Sequence, residues 1–233
     1  MSLMTLFNDF MSLIYPRQCE ACENLLIAEE NFICTSCLAT LPQAASSIKA
    51  GQEIKMLLAG RVPVEDVKFL YAFEKKGRVQ KIIHAIKYQH QKELAVMLGN
   101  LLAIELMKEV PFHQIDLIIP IPLHDKKLKI RGFNQSEYFA KGLSMSMQKP
   151  VIIEHLIRTK ETSTQTKKHK YQRWENVEGI FKVEQLDALK NKHVLLVDDV
   201  ITTGATIEAA WKAMQNVEGI KLSVAAIAFA QIN

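Results

Sequence analysis

No stretch of the sequence holds the roughly 20 consecutive apolar residues that a bilayer span requires, so no membrane span is expected. The first residues lack the basic start and the small-residue cleavage site of a secretory leader, and a cytoplasmic protein is expected. There is no internal repeat. The net charge is only +4, a mild bias toward anionic ligands that does not by itself argue for nucleic acid. Cysteine is absent except at Cys19, Cys22, Cys34 and Cys37. What remains is an ordinary globular profile, 48% apolar and 23% charged over 233 residues, enough for one large domain and a small attachment.

The cysteines read C-x2-C-x11-C-x2-C. Each pair can place two sulfurs on one side of a tight turn, and two such pairs can meet around a tetrahedral Zn2+. Disulfides do not suit a reducing compartment. A redox C-x-x-C needs only one pair, placed after a strand. Four thiolates would close the coordination sphere, so the zinc site is read as structural; a knuckle of this kind can equally contact a partner or DNA. Residues 1–14 carry apolar side chains at helical spacing (Leu3, Leu6, Phe7, Phe10, Met11, Ile14) and read as an amphipathic helix. The expected division is that helix, a zinc module at 15–42, a connector at 43–65 and the main domain at 66–233, with its core at 115–230.

The main domain is organised around Val194 to Thr206. Val194-Leu195-Leu196-Val197 reads as a buried parallel strand. Asp198 and Asp199 follow at its end, then Thr202, Thr203, Gly204, Ala205 and Thr206, then a helical pattern through Ile207, Ala210, Trp211 and Met214. A loop of small residues lets a phosphate approach the amides at a helix N-terminus. The threonines add hydroxyl donors, and Gly204 removes a Cβ that would block the approach. The two carboxylates suit a sugar diol, or Mg2+ carried by a phosphorylated ligand. A phosphate at one end and a diol at the other describe a ribose 5-phosphate.

A second unit repeats this order. Ile115 to Pro122 reads as a buried strand, Leu123 to Gly132 as a basic loop, and Phe133 to Met147 as a helix. A basic loop at the carboxyl end of the sheet, across a crevice from the acidic one, suits a diphosphate; alone it would read as a solvated surface loop. Val151 to Arg158 and Gly179 to Val183 read as further strands, with an almost wholly polar stretch at 159–170 between them, a mobile lid or disorder. Leu222 to Phe229 is the last buried strand. Five strands, mostly parallel and flanked by helices, are expected.

The Val194–Thr206 run looks like the signature for phosphoribosyl diphosphate (PRPP) of type I phosphoribosyltransferases. The chain as a whole resembles the ComF/GntX family, bacterial phosphoribosyltransferase-like proteins linked to DNA uptake in natural competence. The matching pieces, in order, are the four cysteines, Ile83 to Tyr88, Pro120 to Leu123, Arg131-Gly132-Phe133-Asn134-Gln135, Arg158-Thr159 with Thr164-Gln165, Arg173 to Val177, and Val197 to Thr206. The resemblance implies an α/β type I phosphoribosyltransferase fold with a small N-terminal zinc module. It implies that Asp198 and Asp199 hold the ribose hydroxyls and residues 202–206 the 5-phosphate, with Mg2+ accompanying PRPP. A likeness to the transferase half of glutamine PRPP amidotransferase would put Leu123 to Arg131 near the diphosphate. It would make residues 158–173 a closing loop whose Arg158, Lys167, Lys168 and Arg173 neutralise the leaving group.

Two departures stand out. His90 occupies a position where family members usually have Gly. Glu23 replaces a Gly after the second cysteine, with Asn24 expected to take the left-handed conformation instead. No residue is identified as reading a nucleobase or an amine.

Two functions therefore compete. One is a phosphoribosyltransferase with an unknown acceptor. The other is a non-catalytic PRPP- or nucleotide-binding protein of DNA uptake, acting through a helicase or single-stranded DNA. Basic residues 167–173 and the zinc module are the DNA candidates, although aromatic interleaving there is limited to Tyr171 and Trp174.

Overall fold

The computed structural model describes residues 16–43, 48–159 and 179–230. The expected helix at 1–14 and nearly all of the polar stretch lie outside the described residues, as do Lys167, Lys168 and Arg173.

The centre is a parallel sheet of four strands, β1 (Val64–Phe73), β2 (Leu117–Pro120), β5 (His193–Ile201) and β6 (Lys221–Ala230), in the order β1-β6-β5-β2. All three pairings are parallel. Helices cover both faces, so β6 is buried continuously from Leu222 to Phe229 and its sequence shows no alternation. The fifth place in the sheet is held by one residue: Val151 bridges Ile118 in parallel register. The segment then leaves the sheet. β3 (Leu156–Arg158) pairs antiparallel with β4 (Phe181–Val183) as a separate two-stranded piece. The stretch expected as one strand at 151–158 is thus divided between two structures.

The remaining helices are α1 (Thr35–Thr40), α2 (Ile48–Leu58), α3 (Arg78–Tyr88), α4 (Lys92–Leu106), α5 (Val110–His113), α6 (Asp125–Arg131), α7 (Gln135–Met147) and α8 (Ala205–Met214). On one face α3, α4 and α7 share an apolar cluster with the cysteine module. On the other, α2 and α8 pack with the β3–β4 piece. The stretch expected as a connector is thus partly core: Ile54 and Leu58 are fully buried beside Phe69 and Phe229. Helices α4 and α7 cross backbone to backbone. A Cβ on Gly142 would lie 2.0 Å from the Val96 carbonyl oxygen, and one on Gly99 2.1 Å from that of Phe139.

His90, where Gly is usual, adopts the left-handed conformation at φ 58°. The expected left-handed residue after the second cysteine is Glu23, φ 66°, rather than Asn24. The chain keeps its turn there with a residue that pays a small steric penalty, and its carboxylate meets Lys81 at 2.7 Å.

Candidate functional site

The helix after β5 crosses to β6 on one face, and the helices after β2 return toward Val151 on the other. The strand order therefore diverges between β5 and β2. In open α/β sheets the crevice at the carboxyl end of such a pair is where ligands bind. β5 delivers Asp198 and Asp199 to it and β2 delivers Pro120 and Ile121. The acids are part of the strand, which continues to Ile201, rather than following it.

The two carboxylates differ in environment. Asp199 is fixed by Lys87 at the end of α3, Nζ to Oδ2 2.8 Å, with the side chains 20% and 14% exposed. Asp198 accepts from the Asp199 amide at 2.8 Å and the Ser136 hydroxyl at 3.3 Å, both on Oδ1. Burial and the neighbouring Asp199 carboxylate push the Asp198 carboxyl up to about 7, against the pull of that amide, Lys87 and Ser136. One acid is thus paired with a cation, while burial and its neighbour raise the other.

The loop after β5 turns at Gly204, φ 75°, which caps α8 without a side chain. Glycine is needed here for the left-handed turn and for packing. A Cβ would meet the Leu58 side chain on α2 at 2.6 Å. Thr202 and Ala205 are exposed, and Thr203 and Thr206 partly so. Arg61 braces the loop from behind: it donates to the Thr203 carbonyl at 3.4 Å and to the Leu57 carbonyl, and pairs with Glu208 at 2.8 Å.

The basic stretch after β2 is a short helix, α6, not a loop. His124 caps it, its Nδ1 accepting from the Lys126 amide, and Gly132 ends it at φ 75°. The Arg131–Gln135 run that follows is mostly scaffolding. Arg131 donates to Gln135 Oε1 at 2.8 Å. The Asn134 side chain donates to the Ile121 carbonyl at 3.0 Å while capping α7. That cap orients Ser136 toward Asp198. Arg131 also lies over the Tyr88 ring, 5.5 Å from its centroid, so α6 and the end of α3 adjoin. Leu123 is partly exposed on the same connection. Arg158 on β3 stands over Phe181 and feels the Asp198 charge; burial lowers its pKa and Asp198 opposes that.

The structure thus brings Asp198, Asp199, residues 202–206 and Arg158 to one crevice. It adds three residues that sequence reasoning missed. Lys87 stands four positions after Ile83 on the flank of a buried stripe, where a lone cation needs a partner, and that was the available signal. Arg61 sat in a stretch read as a connector. Ser136 gave no signal, being 62 positions from Asp198.

The cysteine sulfurs form a second site. All four lie within 4.8 Å of one another, and Cys22 and Cys34 are 3.8 Å apart. A tetrahedron with bonds of about 2.3 Å has edges of about 3.8 Å, so the cluster fits a metal ion. The Cys34 amide donates to the Cys19 sulfur, the Cys37 amide to the Cys34 sulfur, and Arg78 to the Cys37 sulfur. Burial acts to raise the Cys19 thiol, but backbone donors outweigh it and lower it to about 7.

Comparison with known proteins agrees with this geometry. Residues 134–231 match the family described as phosphoribosyl transferase domain, which spans β5, its acids, the glycine turn and α8. The sheet, the crevice and the loop are those of a phosphoribosyltransferase-like domain. The chain is 32% identical over 129 residues to DNA utilization protein YhgH of Escherichia coli O157:H7, covering 54% of this chain and 56% of that protein. It is 32% identical over 141 residues to competence protein F of Haemophilus influenzae, covering 58% and 60%. To competence protein ComFC of Bacillus subtilis it is 34% identical over 98 residues, covering 42% and 38%. Each match thus spans less than two thirds of the relative. The phosphoribosyltransferase-like domain, the clustered cysteines and the similarity to competence and DNA-utilization proteins together support a place in the ComF family. Among the described residues no helix is long and apolar enough to cross a membrane.

Proposed function

We propose that the chain binds PRPP at the crevice between β5 and β2 and transfers its phosphoribosyl group to an acceptor. The observation that carries this is the pairing of two adjacent carboxylates on β5 with an exposed, glycine-led helix N-terminus five residues further on. The amides and hydroxyls of residues 202–206 hold the 5-phosphate. Asp198 and Asp199 hold the ribose hydroxyls. Arg131 and Arg158, with Lys167, Lys168 and Arg173, neutralise the diphosphate, and Leu123 lies beside it. Mg2+, when bound, would screen the diphosphate charge and aid its departure. The C1–oxygen bond breaks and its electron pair leaves with the diphosphate. The acceptor's lone pair forms the new bond to C1, and the acceptor proton passes to solvent. Positioning and charge stabilisation do most of the work, so no protein nucleophile is required.

The experiment follows diphosphate release from Mg-PRPP with candidate amine and nucleobase acceptors. Release that Asp199→Ala abolishes supports the transferase. Tight PRPP binding without release refutes it and leaves the second reading, a PRPP-responsive accessory protein of DNA uptake. The names of the relatives favour that reading, since they concern competence and DNA utilization. Its partner would be a helicase or single-stranded DNA.

For the cysteine cluster the reading is structural Zn2+, held by Cys19, Cys22, Cys34 and Cys37 in a reducing, cytoplasmic setting. One zinc per chain by metal analysis is expected, and none would overturn it.

A further inference from the structure

The cysteine cluster and the acid pair are joined by one helix. At the start of α3, Arg78 donates from Nη1 to the Cys37 sulfur at 3.6 Å and to Thr40 Oγ1 at 2.8 Å, and from Nη2 to the Thr40 carbonyl at 2.8 Å. At its end, Lys87 meets Asp199. The two residues are nine positions apart, about 14 Å along the axis. Between them Val79, Ile82, Ile83, Ala85 and Ile86 are buried in the same apolar cluster as Cys19, Cys34, Cys37 and Leu41. A close-packed helix of this kind does not slide independently of the module it packs against.

Two further facts give the arrangement a direction. The Lys87–Asp199 pair is largely withdrawn from solvent, so it is not one of the exposed pairs that contribute little. An ammonium carries three donors, and one bond to Asp199 leaves donors over for a phosphate or hydroxyl oxygen. At the other end, the Arg78 guanidinium faces a cysteine sulfur. A metal-bound thiolate is a stronger acceptor for it than a neutral thiol, so the grip of Arg78 depends on the state of the cluster.

We propose that Lys87 belongs to the sugar-phosphate site and that the four-cysteine centre sets its position through Arg78 and α3. The inference rests on the PRPP reading for its ligand, but the strut itself does not. When the cluster is metal-loaded, Arg78 anchors the start of α3 and Lys87 is presented at Asp199. When the cluster is empty, α3 loosens and ligand affinity falls, although the crevice is on a different part of the fold. By linkage, ligand binding strengthens metal retention by the same factor.

The test uses the full chain as Arg78→Gln, Lys87→Met, Lys87→Arg and the double variant Arg78→Gln/Lys87→Met. Metal content, Mg-PRPP affinity by calorimetry and amide hydrogen exchange are measured on each. Lys87→Met is expected to weaken Mg-PRPP binding about tenfold or more, and Lys87→Arg to recover part of it. Arg78→Gln is expected to weaken binding severalfold and to speed exchange at residues 84–88, with α4 and α7 unchanged. The double variant should bind no worse than Lys87→Met alone, because both act through one cation. Exchange at 84–88 that stays at the wild-type rate in Arg78→Gln overturns the proposal, whether or not metal is retained. So do single losses that simply add in the double variant. If the wild-type protein shows no heat with Mg-PRPP, the PRPP reading falls separately. Exchange at 84–88, compared between metal-loaded, metal-stripped and Arg78→Gln protein, then decides the strut alone.

Discussion

Replacing Asp198 by Asn should stabilise the protein at neutral pH and leave its stability almost unchanged in acid. The environment raises the Asp198 carboxyl from its ordinary 3.8 to about 7, chiefly through burial and then through Asp199. A group with a raised native pKa contributes its full stability below the unfolded value, and that contribution is lost as pH rises through the native value. Here the window runs from 3.8 to about 7. A shift of about three units corresponds to at most about 4 kcal/mol lost by pH 8. Asp198 is only partly buried by surface exposure, so solvent screening brings the expectation to about 2 kcal/mol. Asn is nearly isosteric, and its carbonyl can keep the bonds from the Asp199 amide and the Ser136 hydroxyl. Urea titrations at pH 8 and pH 4 measure the effect. The variant should gain about 2 kcal/mol at pH 8 and about 0.5 kcal/mol or less at pH 4. No gain at pH 8, or an equal gain at both, would refute the reasoning. If the proposed site is right, the same variant should bind Mg-PRPP more weakly, because the carboxylate that costs stability is the one proposed to hold the ribose.

Three other substitutions follow from the same geometry. Gly142→Ala places a Cβ 2.0 Å from the Val96 carbonyl oxygen and should force α4 and α7 apart, costing about 3 kcal/mol in urea unfolding. Gly204→Ala combines a left-handed backbone with a 2.6 Å approach to Leu58; about 1–3 kcal/mol of stability and a measurable part of the PRPP affinity should be lost together. Ser136→Ala removes a donor that holds the Asp198 carboxyl down, so Asp198 should titrate at a higher pH, seen as a shift of its side-chain carbon resonance; an unmoved titration would count against the contact.

The site was legible where chemistry is concentrated in a few adjacent residues. The run from Val194 to Thr206 states strand, acids, turn and helix in order, and the cysteine spacing states the cluster. What was not legible depends on residues far apart in the chain. The fifth strand could not be read as a single bridge at Val151, because an apolar run looks the same whether it pairs over one residue or six. The α6 helix was read as a loop because seven residues dominated by Lys and Arg bury nothing and so show no apolar stripe. The Arg131–Gln135 run was conspicuous, yet its visible role is to position Ser136 and the Ile121 carbonyl, a role that only the folded register reveals.

The loop proposed to hold the phosphate carries an electrostatic contradiction, and Arg61, just after α2, resolves it. Glu208 lies in the first turn of α8, where a negative charge favours the helix dipole but repels any phosphate at the same N-terminus. It is also buried, 7% exposed, which an unpaired carboxylate does not tolerate. Arg61 at 2.8 Å and Lys212 at 3.3 Å both pair with it. The acid is thereby compensated by two cations, and the same guanidinium reaches the Thr203 carbonyl within the loop. A first-turn acid already compensated, beside exposed threonines, is what the proposed phosphate site requires of this helix start, where the Thr203 hydroxyl already accepts from the Ala205 amide at 3.4 Å.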